Sequence, residues 1–138
     1  MELAENEDDW TEAAANFQAA AALLRAIGKV NAAHEAEIGL AELLRQRGDL
    51  EAALRQIAPI LPRLPSVAAD GWDEPIHVYV VCVQILRTNH DARAEGLLKQ
   101  GLHLLTCLAQ NISDSTLRQH FLQAIPAHSQ LQALSTIF

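Results

Sequence analysis

Residues 37–61 read EIGLAELLRQRGDLEAALRQIAPIL, and this stretch decides the fold. Two apolar-periodic segments flank a short break, Arg47-Gly48-Asp49. Before the break, Ile38, Leu40, Ala41, Leu43 and Leu44 recur at helical spacing. After it, Leu50, Ala53, Leu54, Ile57, Ile60 and Leu61 do the same. Gly48 suits the left-handed residue that ends a helix, and Asp49 suits the N-cap of the next. The unit is therefore a helical hairpin with a very short turn, and its small residues Ala41 and Ala53 predict close approach of the two helices.

The rest of the chain continues the pattern. Residues 10–27 predict a helix ended at Gly28, with Trp10, Ala13, Phe17, Ala20 and Leu24 as its apolar stripe. Residues 30–47, with Asn31 as cap, and 49–61 form the central hairpin; Pro59 finishes or kinks the second helix. Pro62, Pro65 and the segment SVAADG predict a loop over 62–71, long enough to be either a functional insertion or a spacer. Residues 72–88, WDEPIHVYVVCVQILRT, are rich in strand-forming valines. The run is too long for an ordinary strand, and Asp73 followed by Pro75 signals a helix start, so a helix is predicted. Being apolar all round, it must be covered on every side, either by the C-terminus of the chain or by a partner. Residues 91–110 predict its companion helix, in which Gly101 marks close packing. Two short helices follow, near 115–124 and 128–137, the first opened by Ser113-Asp114-Ser115 and ended by Pro126.

The central hairpin resembles a tetratricopeptide repeat. Leu40, Ala41, Leu44, Gly48, Asp49, Leu50, Ala53, Leu54 and Ile57 fall in that family's order and spacing. Pro62 or Pro65 stands for the closing proline. The pattern departs at Glu37, where the family has tryptophan, and at Ile60, where it has a small residue. Residues 10–24 resemble the second helix of such a repeat, so the chain reads as beginning halfway through one, with a face that lacks a neighbour. The units start near Trp10, Leu50 and Ala92, about 40 residues apart against about 34 in the standard repeat. That length is similar to the arrays of bacterial signal-transducing ATPases and maltose-regulator-type transcriptional activators. The resemblance implies an all-α fold of antiparallel hairpins, stacked as a short right-handed superhelix with a C-terminal helical cap. It implies one domain over 1–138, comprising an acidic tail (1–9), a half repeat (10–28), a complete repeat (30–61), a loop (62–71), a second repeat (72–110) and capping helices (113–138).

Composition narrows the function. Seventeen acidic side chains against ten basic ones, a formal charge of −7, argue against a nucleic-acid backbone as partner. The tail MELAENEDD carries five acids and no base, and reads as a solvated helix entry. No targeting signal and no apolar run of membrane-spanning length is visible, which reads as a cytoplasmic protein. Cys82 and Cys107 sit in apolar runs and read as buried free thiols. Six histidines are scattered, with no pair at i, i+3 or i+4, so no metal is expected. No phosphate loop is present, and pairing Cys82 with His77 or His103 would lack an oxyanion site; no enzyme and no cofactor are expected.

The expected function is a non-enzymatic protein-interaction module with a concave groove for a peptide or helix. By register with the family, the groove contacts are Glu35, Ile38, Glu42, Arg45 and Gln46 on one helix. On the next they are Tyr79, Val83, Leu86 and Arg87. A second reading is self-association through Trp10, Phe17 and Leu24. A third is a small-molecule sensor domain of a transcriptional regulator with a pocket near Tyr79.

Overall fold

The computed structural model describes residues 7–135. The predicted acidic tail falls mostly outside them, as does Ile137 of the last predicted helix. Among the described residues there are seven α-helices, one 3-10 turn and no strand. The helices are α1 (Glu7–Ala26), α2 (Val30–Gln46), α3 (Leu50–Ile57), α4 (Pro75–Thr88), α5 (Ala94–Gln110), α6 (Ser115–Gln123) and α7 (Pro126–Leu134). The chain forms two compact units. The first holds the described residues up to Arg63 together with Gly71–Asp73. The second holds Leu64–Asp70 and the described residues from Glu74 onward.

In the first unit α2 is the central helix, with α1 and α3 each packed along it. Two sharp turns of the same design connect them. Gly28 (φ +80°) ends α1, its N–H donating to Arg25 O (3.0 Å) while Lys29 N–H reaches Leu24 O (2.8 Å). Gly48 (φ +89°) ends α2 identically, with Gly48 N–H to Arg45 O (3.0 Å) and Asp49 N–H to Leu44 O (2.9 Å). These paired bonds satisfy carbonyls that a helix end otherwise leaves open, and the left-handed φ is what glycine permits. Asp49 is the N-cap of α3, as its position predicts, but its side chain accepts no capping hydrogen bond. Asn31 is not the cap of α2; Lys29 holds that position. Ala41 and Ala53 are fully buried, in keeping with the close approach of α2 and α3.

The stripe Trp10, Phe17 and Leu24 does not form an outer surface. Trp10 and Phe17 pack with Ala13 and Leu44 against the buried side chains Ala14, Leu40 and Leu43, and Leu24 is half-buried. Trp10 Nε1 donates to Leu43 O (3.3 Å), and the Arg47 guanidinium stacks 4.2 Å above the indole. Phe17 explains Gly39. A Cβ there would overlap the phenyl ring, 2.7 Å from Cζ, so only glycine lets α1 and α2 meet at this point.

In the second unit α4 is buried on nearly every face, with Ile76, Val78, Tyr79, Val80, Val81, Cys82, Val83, Ile85 and Leu86 all inaccessible. Of the two covers the sequence allows, the chain itself supplies one: α5 and α7 pack on α4, and Leu131 of α7 is fully buried. α6 and α7 form a hairpin whose polar side chains close it. Asp114 caps α6 by accepting from Leu117 N–H (2.9 Å). Buried His128 donates from Nδ1 to Phe121 O (2.6 Å), Gln132 Nε2 to Leu122 O (2.8 Å) and Ser129 Oγ to Gln123 O (2.7 Å). Three carbonyls near the end of α6 are thus satisfied by α7. The α4 cap is Glu74 rather than Asp73, with Pro75 in the first turn where its missing N–H does no harm.

The loop expected over 62–71 is tied down. Leu61–Arg63 makes the 3-10 turn, Leu64 and Pro65 are buried, and Pro65 O accepts from the Tyr79 hydroxyl (2.6 Å). Further on, Trp72 stacks on His34 (6.2 Å between ring centres) and Asp73 N–H donates to Glu35 Oε1 (2.8 Å).

Candidate functional site: a cleft across the first three helices

Of the groove residues expected from register, the three apolar ones in the second unit are core rather than groove lining. Tyr79, Val83 and Leu86 are wholly inaccessible, which corrects their assignment as contacts: in this fold their side chains are core. The helix is apolar on all sides, so register alone could not tell which side α7 would occupy. Arg87, in the same unit, is held by Glu95 (3.3 Å) and by Leu134 O at the end of α7 (3.0 Å). Ile38 is buried, and Glu35 receives the Asp73 N–H. Glu42, Arg45 and Gln46 do lie together. Arg45 binds both Glu42 oxygens (2.7 and 2.9 Å), and Gln46 Nε2 adds a third bond (3.3 Å). That cluster satisfies itself on the surface of one helix, and such pairs contribute only ~0.3–0.5 kcal/mol.

A cleft forms elsewhere in the first unit, because α1 and α3 both rest on α2 and the residues between them are small. It encloses about 510 Å³. Leu40 and Leu44 of α2 line it, together with Trp10, Thr11, Ala14, Ala15 and Gln18 of α1 and Ala52, Arg55 and Gln56 of α3. A second hollow of about 280 Å³ shares Arg55 and Gln56 with it and adds Arg25, His34, Glu37, Pro59 and Ile60. The first hollow is apolar with an amide and guanidinium rim; the second is charged.

The charged end is ordered by one carboxylate. Glu37 accepts from Arg25 Nη2 (2.8 Å) in a two-pronged pair and meets His34 Nδ1 at 3.2 Å. The Arg25 bonds hold the Glu37 carboxyl below its ordinary value, against the opposing effect of burial. Arg55 sits opposite with an exposed partner, Glu51 (3.0 Å), an ion pair that a competing carboxylate can displace at little cost. The whole arrangement offers a strip of two leucines flanked by one exchangeable cation and two amides.

None of these cleft residues stood out in the sequence except as core formers. Leu40 and Leu44 belong to the helix stripe, and Trp10 to the stripe of α1. The legible signal was size: Ala14, Ala15 and Ala52 leave room where bulky residues would have closed the gap.

The thiols are placed apart from any such site. Cys82 is fully buried, and burial pushes its thiol up to about 12, so it is no nucleophile. His103 faces Cys107 one turn away on α5 (Nε2 to Sγ, 3.5 Å) rather than Cys82. Among the described residues no group of three or more His, Cys, Asp and Glu side chains is arranged to hold a metal ion. Among the same residues no helix is long and apolar enough to cross a membrane. Comparison with protein-family models, with curated proteins and with solved structures returns no match.

Proposed function

We propose that this chain is a non-enzymatic protein-interaction module on a tetratricopeptide-like scaffold, and that it takes an amphipathic helix in the cleft between α1 and α3. The observation that carries the reading is the cleft itself, an open trough of about 510 Å³ with Leu40 and Leu44 at its apolar centre and Arg55, Gln56 and Gln18 on its rim. Recognition of a helix in a groove needs such a strip for anchors at i, i+3 and i+4, with polar groups at the edge to fix orientation. An acidic residue on the incoming helix would exchange with Glu51 on Arg55.

The scaffold assignment rests on the α2–α3 hairpin, with its Gly48-Asp49 turn and its buried Ala41 and Ala53. The right-handed superhelix and a place within a bacterial regulatory or signalling protein are part of the same proposal. A cytoplasmic setting is supported by two unpaired cysteines. The predicted contacts Glu42, Arg45 and Gln46 stay in the proposal as a secondary polar surface; Tyr79, Val83 and Leu86 leave it.

The test is selection of helical peptides from a random display library against the full chain. Binders should carry an apolar stripe and at least one acidic residue. Ala52→Trp, which fills the cleft, should weaken them at least roughly tenfold, about 1.4 kcal/mol, with the circular dichroism unchanged. Peptides that bind wild type and Ala52→Trp equally well would remove the cleft from consideration.

A further inference from the structure

The six histidines form no pair with one another at helical spacing, but His103 forms one with Cys107. The two stand four residues apart on one face of α5, and His103 Nε2 lies 3.5 Å from Cys107 Sγ. His103 is exposed and Cys107 half-buried, so both are within reach of solvent. The turn that carries them is anchored: Leu104 and Leu105 between them are buried, as is Ala109 just beyond. Ligands on a fixed helix turn converge without further ordering of the backbone. The polar neighbours are engaged elsewhere, Gln100 with the Tyr79 hydroxyl (2.6 Å) and Thr106 with Leu102 O (3.0 Å).

A thiol–imidazole hydrogen bond accounts for the contact in the metal-free chain. With the ring proton on Nδ1, Nε2 aims its lone pair at the sulfur and the thiol proton lies between them. A metal ion takes that proton's place without a change of rotamer if the separation suits its bonds. Zinc bonds of about 2.3 Å to sulfur and about 2.0–2.1 Å to nitrogen, set at the tetrahedral angle, need the two atoms about 3.5–3.6 Å apart. Bonds of the same lengths at a right angle would need about 3.1 Å, and a linear arrangement about 4.3 Å. The 3.5 Å between His103 and Cys107 matches the tetrahedral case. Magnesium and calcium take oxygen ligands and are not suited to this pair.

We propose that His103 and Cys107 form a surface site for a tetrahedral, thiolate-binding divalent cation of the zinc class, open at two of its four positions. On binding, the Cys107 S–H bond breaks and its proton passes to solvent. The metal gains one bond to Sγ and one to Nε2, sheds water in exchange, and keeps water at the two open positions; no oxidation state changes. Cys82, fully buried, offers no second site of this kind. The pair lies in the second unit and is independent of helix binding in the cleft, whose lining holds no cysteine.

The experiment titrates the metal-free full chain with cadmium, a zinc-class ion whose bond to a thiolate gives an ultraviolet charge-transfer band. One cadmium per chain should bind, zinc should displace it, and excess magnesium or calcium should not. Saturating zinc should slow alkylation of Cys107 in the native chain at least roughly tenfold, because the thiolate is the nucleophile and the metal occupies it. His103→Ala should weaken cadmium and zinc at least about tenfold with the circular dichroism unchanged. Cys107→Ser should abolish the band, and His120→Ala on α6 should leave it as it is. A chain that gives no band overturns the proposal and leaves only a thiol–imidazole hydrogen bond. A chain that binds both ions equally well after His103→Ala also overturns it and leaves a thiolate acting alone.

Discussion

Replacing Gly101 by alanine measures how tightly α5 is set against α4. A Cβ at Gly101 would stand 2.8 Å from both Cγ and Cδ1 of Tyr79 and 3.1 Å from its Cβ. Those atoms are the root of the tyrosine side chain, which cannot swing aside. Its far end is fixed too: the hydroxyl donates to Pro65 O and receives Gln100 Nε2, each at 2.6 Å. Relief must come from a shift of helix against helix, and overpacking of this kind costs about 1–3 kcal/mol. Alanine also gains about 1 kcal/mol over glycine in a helix interior, which works in the opposite direction. Gly96, one turn earlier on the same helix, separates the two effects, because a Cβ there meets nothing within 4 Å. Gly96→Ala should therefore stabilise by about 0.5–1 kcal/mol. Gly101→Ala should be neutral to destabilising by about 2 kcal/mol after the propensity gain is subtracted. For a chain of this size 1 kcal/mol is worth about 3 °C, so thermal unfolding should place the two variants about 3–9 °C apart. Equal or reversed melting temperatures would show that the Tyr79 ring yields, and the reasoning from its two anchors would fail.

The left-handed position after α4 carries His90 (φ +54°), although the turn repeats the bonds of those at Gly28 and Gly48: His90 N–H to Arg87 O (3.0 Å) and Asp91 N–H to Leu86 O (2.9 Å). His90→Gly should raise stability by about 0.5–1 kcal/mol in urea titrations, the relief of a left-handed residue less the entropy of glycine. Tyr79 is lifted to about 12 and Cys82 likewise, both chiefly by burial. Unfolded, they ionise near 10 and 9, so the unfolded state loses these protons first; stability is intact below about pH 9 and drains away as pH rises towards 12, and Tyr79→Phe should remove the part that begins near pH 10. Thiol titration of the native protein should find one reactive cysteine, Cys107, and a second only in denaturant, since Cys82 is fully buried. Asp114→Ala should cost about 1 kcal/mol through loss of the cap on Leu117 N–H, read as a lower urea midpoint.

Helix positions were legible because each rests on local signals. Gly28 and Gly48 stop helices where left-handed residues are needed, Pro75 opens one, and Asp114 caps another. The valine run of α4 was resolved by length and by its opening residues rather than by strand propensity. The partners of each face were less legible. Tyr79, Val83 and Leu86 read as a groove because the family's register places them inside, but α7 lies on α4, and no local signal in residues 76–86 encodes a helix some forty positions later. Trp10, Phe17 and Leu24 read as surface for want of a preceding helix, yet α2 supplies neighbours to Trp10 and Phe17 through Leu40 and Leu43. Gly39 gave no hint of its role, since the ring it admits belongs to Phe17, on another helix. The cleft is a space, and a space follows from how three helices are set on one another rather than from any residue's own preference.

The burial of α4 beneath α7 has a consequence in time. Translation delivers Thr88, the end of α4, thirty-eight residues before Pro126, the start of α7. At ribosomal speeds of about 5–20 residues per second, the interval is roughly 2–8 s. Throughout it the most apolar of the described helices has no α7 to lie under. A nascent chain at this stage is a natural client for a holdase chaperone. A product truncated just before Pro126 should aggregate or be degraded even though six of the seven helices among the described residues have been made.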